Sequence, residues 1–120
     1  MRLIESAVDG IPLLVVEGDL DHSSKTAVLE AVTEVFRGVY PSESLLIDLT
    51  DCAFVDSGGL SVLLSALTQL PPKGWLGIIG ASAGTNRVLE YTGFLEREQV
   101  RFFSSLSDAA TSLARERRLL

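Results

Sequence analysis

The residues with the clearest chemical potential are Asp56 and Ser57, which stand together in the run Asp56-Ser57-Gly58-Gly59-Leu60. An apolar segment precedes this run and an apolar helical pattern follows it, so Ser57 is predicted to lie exposed at a helix start. The backbone amides of a first helical turn lack partners within the helix and favour a negative group nearby. A phosphate on Ser57 would therefore suit the fold while adding about −1.5 to −2 charges to the surface. Simple helix capping by Ser57 is the plainer interpretation.

The motif lies in the acidic half of the chain. The formal net charge is −6; residues 1–60 carry 11 acids and 3 bases, whereas residues 61–120 carry 5 acids and 7 bases. This balance argues against nucleic acid as the main partner and favours a basic protein partner. An acidic surface that only aids solubility is the alternative. Gly58 and Gly59 carry no side chains, so they are predicted to let another protein's active site come close to Ser57.

Length and composition indicate one domain over residues 1–120. The single cysteine, Cys52, excludes an internal disulfide and fits a reducing compartment, where it is expected to be a small buried residue. No apolar run approaches the roughly 20 residues that cross a bilayer, and the first residues do not resemble a signal peptide. We therefore expect a cytoplasmic location without membrane insertion, and we find no pattern for a metal or a cofactor.

The elements that must position the motif alternate as β-β-α-β-α-β-α-β-α. Strands are predicted at residues 3–8, 11–17, 45–49, 75–79 and 100–102, with Asp9-Gly10 as a hairpin turn. Helices are predicted after Ser24, from the motif to about residue 70, from Ser82 to Thr92, and after Ser107. The predicted fold class is α/β, a mixed β-sheet of about five strands with an N-terminal hairpin, flanked by about four helices. The loop that leads to Ser57 then lies beyond the carboxyl end of a parallel strand, where functional loops gather.

Two apolar stripes predict which helix faces are buried. The first helix carries Val28, Val32, Val35 and Val39 at helical spacing, and the second carries Leu60, Leu63, Leu64 and Leu67. Phe54, in the loop before the motif, is expected to be buried.

Three motifs in the same order resemble the STAS domain family. Gly18-Asp19-Leu20-Asp21 resembles a Gly-Glu-Leu-Asp signature, and the run from Leu46 to Leu60 resembles the family's central signature, which ends in Asp-Ser-(Ser/Thr/Gly)-Gly-Leu. Ser82 and the stretch from Arg87 to Phe94 resemble the third helix and its exit. The resemblance spans nearly the whole chain and implies a single STAS domain over residues 1–120.

The resemblance implies a bacterial anti-sigma factor antagonist, which is a regulator and not an enzyme. In that family the unphosphorylated antagonist binds an anti-sigma factor that is also a serine kinase of the histidine-kinase-like ATPase fold, and the sigma factor is released. The kinase phosphorylates the serine that matches Ser57, and a PP2C-type phosphatase reverses this. The residues implied in partner binding are Asp19, Asp21, Asp56, Ser57, Gly58 and Gly59. Gly58 departs from the Ser or Thr of the sporulation antagonist, so Ser57 is the motif's only acceptor.

Other functions fit the sequence less well. A serine hydrolase elbow needs a glycine where Val55 stands, and the only histidine, His22, is predicted to be a polar loop residue. A receiver domain needs a paired acidic site and a lysine after a late strand, and this sequence has no lysine in that position. The turn from Gly80 to Gly84 lacks the pattern of a nucleotide-binding loop. Within the STAS family, the alternatives are an accessory subunit of a lipid-transport ABC machine and a stressosome-type scaffold, neither needing a phosphate cycle.

Overall fold

The computed structural model describes residues 1–119, which form a five-stranded sheet and four α-helices. The elements are β1 (Arg2–Val8), β2 (Ile11–Glu17), α1 (Lys25–Arg37), β3 (Leu45–Asp48), α2 (Ser57–Gln69), β4 (Leu76–Ile79), α3 (Ala83–Tyr91), β5 (Val100–Phe103) and α4 (Leu106–Arg118). A short 3-10 turn at Phe94–Glu96 follows α3. The predicted fold class and element order are confirmed. Within the described residues, no helix combines the length and the apolar character that a bilayer crossing requires.

The strands lie in the order β1-β2-β3-β4-β5, and the sheet is mixed. β1 and β2 pair antiparallel through a tight turn in which Asp9 and Gly10 both have positive φ, at 52° and 82°. Two such residues make the turn that suits a two-residue hairpin, as the Asp-Gly pair predicts. All other neighbouring strands run parallel. The carboxyl ends of β2, β3 and β4 therefore share one edge of the sheet, where the loop before Ser57 begins.

The helices cover both faces of the sheet. Side chains of α1, α2 and α3 pack with Leu14, Ile47 and Ile78 on one face, while α4 packs on the other face against Leu13 and Leu46. Every residue of β3 is buried. This explains why the β3 sequence is a nearly continuous apolar run without an alternating pattern.

The buried face of α2 differs from the leucine stripe predicted for it. Leu63 is fully buried, but Leu60, Leu64 and Leu67 are only partly buried. The buried positions are instead those of the small residues and their neighbours, namely Gly58, Gly59, Val62, Leu63 and Ala66. Small side chains allow the helix to lie close to the sheet and the loops, and a search for large apolar residues does not detect them.

Two helix ends also differ from the sequence interpretation. α1 ends at Arg37 with Gly38 as its C-cap, so Val39 lies beyond the helix and is 82% exposed, not buried as predicted. The last helix begins earlier than predicted, because Ser105 rather than Ser107 is its N-cap and accepts a hydrogen bond from the Asp108 amide. At α1 the helix stops at a glycine before the last valine of the stripe. At the last helix a neighbouring serine supplies the N-cap.

Leu63 and Leu64 provide a direct test of which face of α2 is buried. We expect Leu63→Ala to lower the free energy of unfolding by about 2–5 kcal/mol, the range for a fully buried leucine. Leu64→Ala should cost about 1–2 kcal/mol, because part of that side chain already contacts water in the folded protein. Urea denaturation at equilibrium measures both losses. Equal losses, or a larger loss at Leu64, would contradict this packing.

Candidate functional site

The two loops that carry the sequence motifs are joined by backbone hydrogen bonds. The Gly18 amide donates to the Asp51 carbonyl at 3.0 Å, and the Leu20 amide donates to the Phe54 carbonyl at 3.0 Å. An isolated parallel bridge pairs Leu20 with Val55. The chain after β2 therefore runs alongside the chain after β3, and it brings the residue 18–24 loop against the start of α2.

Asp56 is the residue that begins α2. Its Oδ1 accepts a hydrogen bond from the Gly59 amide at 2.9 Å, which is the N-cap contact, and its Oδ2 accepts one from the His22 amide at 3.3 Å. One carboxylate thus caps the helix and also ties it to the neighbouring loop. These two contacts fix the position of Asp56 directly before Ser57, and its predicted part in partner binding stays a prediction.

Ser57 is the first helical residue, and its side chain is exposed. Because Asp56 supplies the cap, the interpretation of Ser57 as a capping serine is wrong. Its hydroxyl lies at the positive end of the helix dipole, on the surface, and capping does not require it. The prediction that Ser57 accepts a phosphate remains a prediction, with this geometry in its favour.

Asp21 holds the neighbouring loop in a tight turn. Its Oδ1 accepts hydrogen bonds from the Ser23 hydroxyl at 2.7 Å, the Ser23 amide at 3.0 Å and the Ser24 amide at 3.1 Å. The Ser23 hydroxyl, followed by the backbone amides of Ser24 and Ser23, holds the pKa of Asp21 below its ordinary value of 3.8. The predicted N-cap Ser24 precedes α1 but makes no side-chain cap, because its hydroxyl donates to the Asp19 carbonyl at 2.8 Å. Asp19 is exposed.

The two glycines of the motif lie close to the residue 18–24 loop. A β-carbon at Gly59 would overlap the Leu20 carbonyl oxygen, and one at Gly58 would lie 2.8 Å from Nδ1 and 3.0 Å from Cα of His22. Both glycines are buried. The sequence interpretation leaves this space open for a partner, whereas in the structure the chain's own loop fills it. Partner contact through their backbone remains a prediction.

Residues 52–54 are held from two sides. The Cys52 thiol is buried and donates to the Phe54 carbonyl at 3.3 Å, and burial raises the pKa of this thiol. From the start of α3, the Thr85 hydroxyl donates to the Cys52 carbonyl and the Ser82 hydroxyl donates to the Ala53 carbonyl, each at 3.4 Å. The predicted structural role of Cys52 fits these contacts.

The expected burial of Phe54 is wrong, because its side chain is 54% exposed. Its neighbours Cys52 and Val55 turn inward instead, at 0% and 2% exposed. The loop from residue 50 to residue 55 has no strand or helix period, so sequence reasoning could not tell which of its apolar side chains face inward. Phe54 is thus a surface residue of the candidate site that the sequence analysis missed.

The assembled site is an acidic surface that carries the exposed hydroxyl of Ser57. Residues 18–24 contribute Asp19 and Asp21, residues 49–57 contribute Asp51 and Asp56, and neither segment contains a lysine or an arginine. In residues 1–119 no group of three or more His, Cys, Asp and Glu side chains is arranged to hold a metal ion. The arrangement suits recognition by another protein and modification of Ser57 by that protein's active site.

Comparisons with known proteins agree with this architecture. The family model for the STAS domain matches residues 6–109. The chain is 28% identical over 105 residues to the anti-sigma-F factor antagonist RsfB of Mycobacterium tuberculosis, which covers 88% of this chain and 83% of that relative.

Two solved structures have the same fold. An anti-sigma factor antagonist from Mycobacterium paratuberculosis matches with a TM-score of 0.82 at 24% identity, covering 94% of this chain and 93% of the other. The Bacillus cell fate determinant SpoIIAA in its phosphorylated form matches with a TM-score of 0.71 at 16% identity, covering 93% of this chain and 99% of the other.

The Gly59 contact predicts a large difference between two glycine substitutions. Gly59→Ala should lower the free energy of unfolding by about 1–3 kcal/mol, because the new methyl group meets the Leu20 backbone rather than a movable side chain. Gly84→Ala is the matched control, since Gly84 lies in the first turn of α3 with no atom within 4 Å of its β-carbon position. That control should be neutral or stabilising by about 0.5 kcal/mol. Chemical denaturation measures both, and equal effects would contradict the close loop contact.

Asp21 predicts a contribution to stability that depends on pH. Because its pKa in the folded protein lies below 3.8, the ionised carboxylate stabilises the fold above that value, and this is lost as the pH falls through the lower, folded-state pKa. The melting temperature of the wild type should exceed that of Asp21→Asn at about pH 6, and the gap should shrink toward about pH 3. Thermal unfolding by circular dichroism measures the gap. A gap that widens on acidification would mean that the hydrogen bonds do not favour the charged form.

Proposed function

Because this chain belongs to the STAS domain family, we propose that it is an anti-sigma factor antagonist controlled by phosphorylation of Ser57. In its unphosphorylated form it binds an anti-sigma factor that is also a serine kinase of the histidine-kinase-like ATPase fold, and the sigma factor is released. The observation that carries the proposal is the exposed hydroxyl of Ser57 at the first position of α2, beside a separate cap at Asp56. Support also comes from RsfB, which is named an anti-sigma-F factor antagonist.

In the proposed reaction this chain is the substrate and the partner is the enzyme. The Ser57 Oγ attacks the γ-phosphorus of ATP held by the kinase, so a new O–P bond forms. The bond between that phosphorus and the β,γ-bridging oxygen breaks, ADP leaves, and the hydroxyl proton passes to a base of the kinase or to water. A PP2C-type phosphatase later hydrolyses the phosphoserine, which returns the hydroxyl and releases inorganic phosphate.

The position of Ser57 explains how a phosphate could change binding while leaving the fold intact. At a helix start, unpaired amides and the helix dipole stabilise a negative group, so the modified protein should remain folded. In the complex, however, Ser57 must sit against the phosphates of the bound nucleotide. A phosphate on Ser57 would place like charges together and strip water from them, which favours dissociation.

The proposal assigns the exposed Asp19 and the cap Asp56 to the binding surface around Ser57. Asp21, which its own loop engages, shapes this surface, and Gly58 and Gly59 set the distance between the loop and α2. Residues 1–120 then act as one STAS domain that is not itself an enzyme. The proposed partners act in the bacterial cytoplasm, which is the location the proposal implies.

Substitution of Ser57 tests the switch. We expect Ser57→Ala to remain folded and to bind the kinase with and without ATP, and Ser57→Asp to bind at least about tenfold more weakly, a loss of about 1.4 kcal/mol. The probes are the purified serine-kinase anti-sigma factors of the same organism. Binding is followed by calorimetry, and intact mass is measured after incubation with ATP. The wild type should gain one phosphate, and Ser57→Ala should gain none.

The control and the contradicting outcomes are specific. Ser61→Ala removes a hydroxyl one turn along α2 that donates to the Gly58 carbonyl at 2.7 Å, and it should still gain one phosphate. Phosphate uptake by Ser57→Ala, or equal affinity of Ser57→Ala and Ser57→Asp, would refute the switch. A tight complex with a transporter ATPase that ignores phosphorylation would support the lipid-transport alternative instead.

A further inference from the structure

Phe54 presents an aromatic ring to solvent three residues before Ser57. Its side chain is 54% exposed, whereas the nearby apolar side chains of Cys52 and Val55 are buried. Single exposed apolar residues are common on protein surfaces, so exposure alone does not indicate a function. Its backbone contacts and its surroundings separate Phe54 from such residues.

The backbone that carries the ring is fixed from both sides. The Phe54 carbonyl accepts hydrogen bonds from the Leu20 amide at 3.0 Å and the Cys52 thiol at 3.3 Å. The Ala53 carbonyl accepts one from the Ser82 hydroxyl. A ring on such a constrained segment loses little backbone freedom when it is bound, so more of its burial appears as affinity.

The two loop segments that carry and hold the ring, residues 49–57 and residues 18–24, are acidic. The segments that carry or hold Phe54 contain Asp19, Asp21, Asp51 and Asp56 but no lysine or arginine. Strong interfaces commonly combine a central aromatic residue with a charged rim that matches the opposite charge on the partner. An apolar pocket bordered by lysine and arginine is the complementary surface.

We propose that Phe54 is the hydrophobic anchor of the docking surface, and that the protein partner receives its ring in an apolar pocket bordered by lysine and arginine. This inference rests on the proposed function, since the partner is the kinase that modifies Ser57. The residues of the site then have separate roles: Phe54 supplies most of the affinity, the exposed aspartates speed the encounter, and Ser57 supplies the reacting oxygen. Loss of the ring should therefore weaken docking and leave the phosphoryl transfer step unchanged.

Binding of alanine variants to the purified serine-kinase anti-sigma factor tests the anchor. We expect Phe54→Ala to raise the Kd by at least about 30-fold, as expected for a central aromatic residue. It should raise KM for phosphorylation of Ser57 while kcat stays within about twofold. The matched control is Phe102→Ala, because Phe102 is also a phenylalanine, is 42% exposed and lies on the edge strand β5. It should change the Kd by less than about threefold.

The salt dependence of affinity tests the acidic rim, which is formed by Asp19 and Asp51. Affinity of the wild type should fall as salt rises, and Asp19→Asn combined with Asp51→Asn should reduce that dependence. Circular dichroism should show that every variant is folded, because each substituted side chain is exposed.

The possible failures are distinguishable. If Phe54→Ala binds like the wild type while Ser57 still gains phosphate, the anchor is refuted and the proposed function stands. Equal losses at Phe54 and Phe102 would refute the anchor as well, because they would indicate general apolar adhesion. If no serine-kinase anti-sigma factor of the organism binds or phosphorylates the wild type, both the proposed function and the anchor are refuted.

Discussion

The hydrogen bonds between residues 18–20 and residues 51–56 are the constraint on which the rest of the site depends. They place the Leu20 backbone where only a glycine at position 59 fits, and they bring the His22 amide to the Asp56 carboxylate. Because Asp56 is occupied by capping and by this contact, Ser57 becomes the first helical residue and remains on the surface. Two loops that are distant in sequence thus determine the exposure of one hydroxyl.

Local sequence patterns predict the fold well wherever neighbouring residues alone decide the structure. Asp9-Gly10 encodes its hairpin, and the continuous apolar run of β3 encodes burial on two faces. Side-chain direction in the Thr50–Val55 loop has no such local rule, because tertiary hydrogen bonds to Leu20, Ser82 and Thr85 set it. The exposure of Phe54 was therefore beyond sequence reasoning.

Gly58 shows a different limit of sequence reasoning. Taken by itself, it only departs from the Ser or Thr of the sporulation antagonist. In the structure, His22 lies over Gly58 so closely that a β-carbon there would crowd the imidazole and the His22 backbone. The glycine and the histidine therefore form one packing solution, although they are 36 positions apart. A single sequence does not show that the two positions lie together, so this contact becomes visible only once the two loops are placed in the structure.

The proposed switch requires that a surface which is already acidic attracts a basic partner and yet releases it when further negative charge is added. The exposed Asp19 and Asp51 would lie at the rim of the proposed interface, where water and salt screen them and each contributes little to affinity. They act mainly on the rate of encounter. A phosphate on Ser57 would instead be enclosed, next to the nucleotide phosphates, where desolvation and repulsion are large. The enclosed charge therefore outweighs the rim, and one surface can both recruit the kinase and dissociate from it.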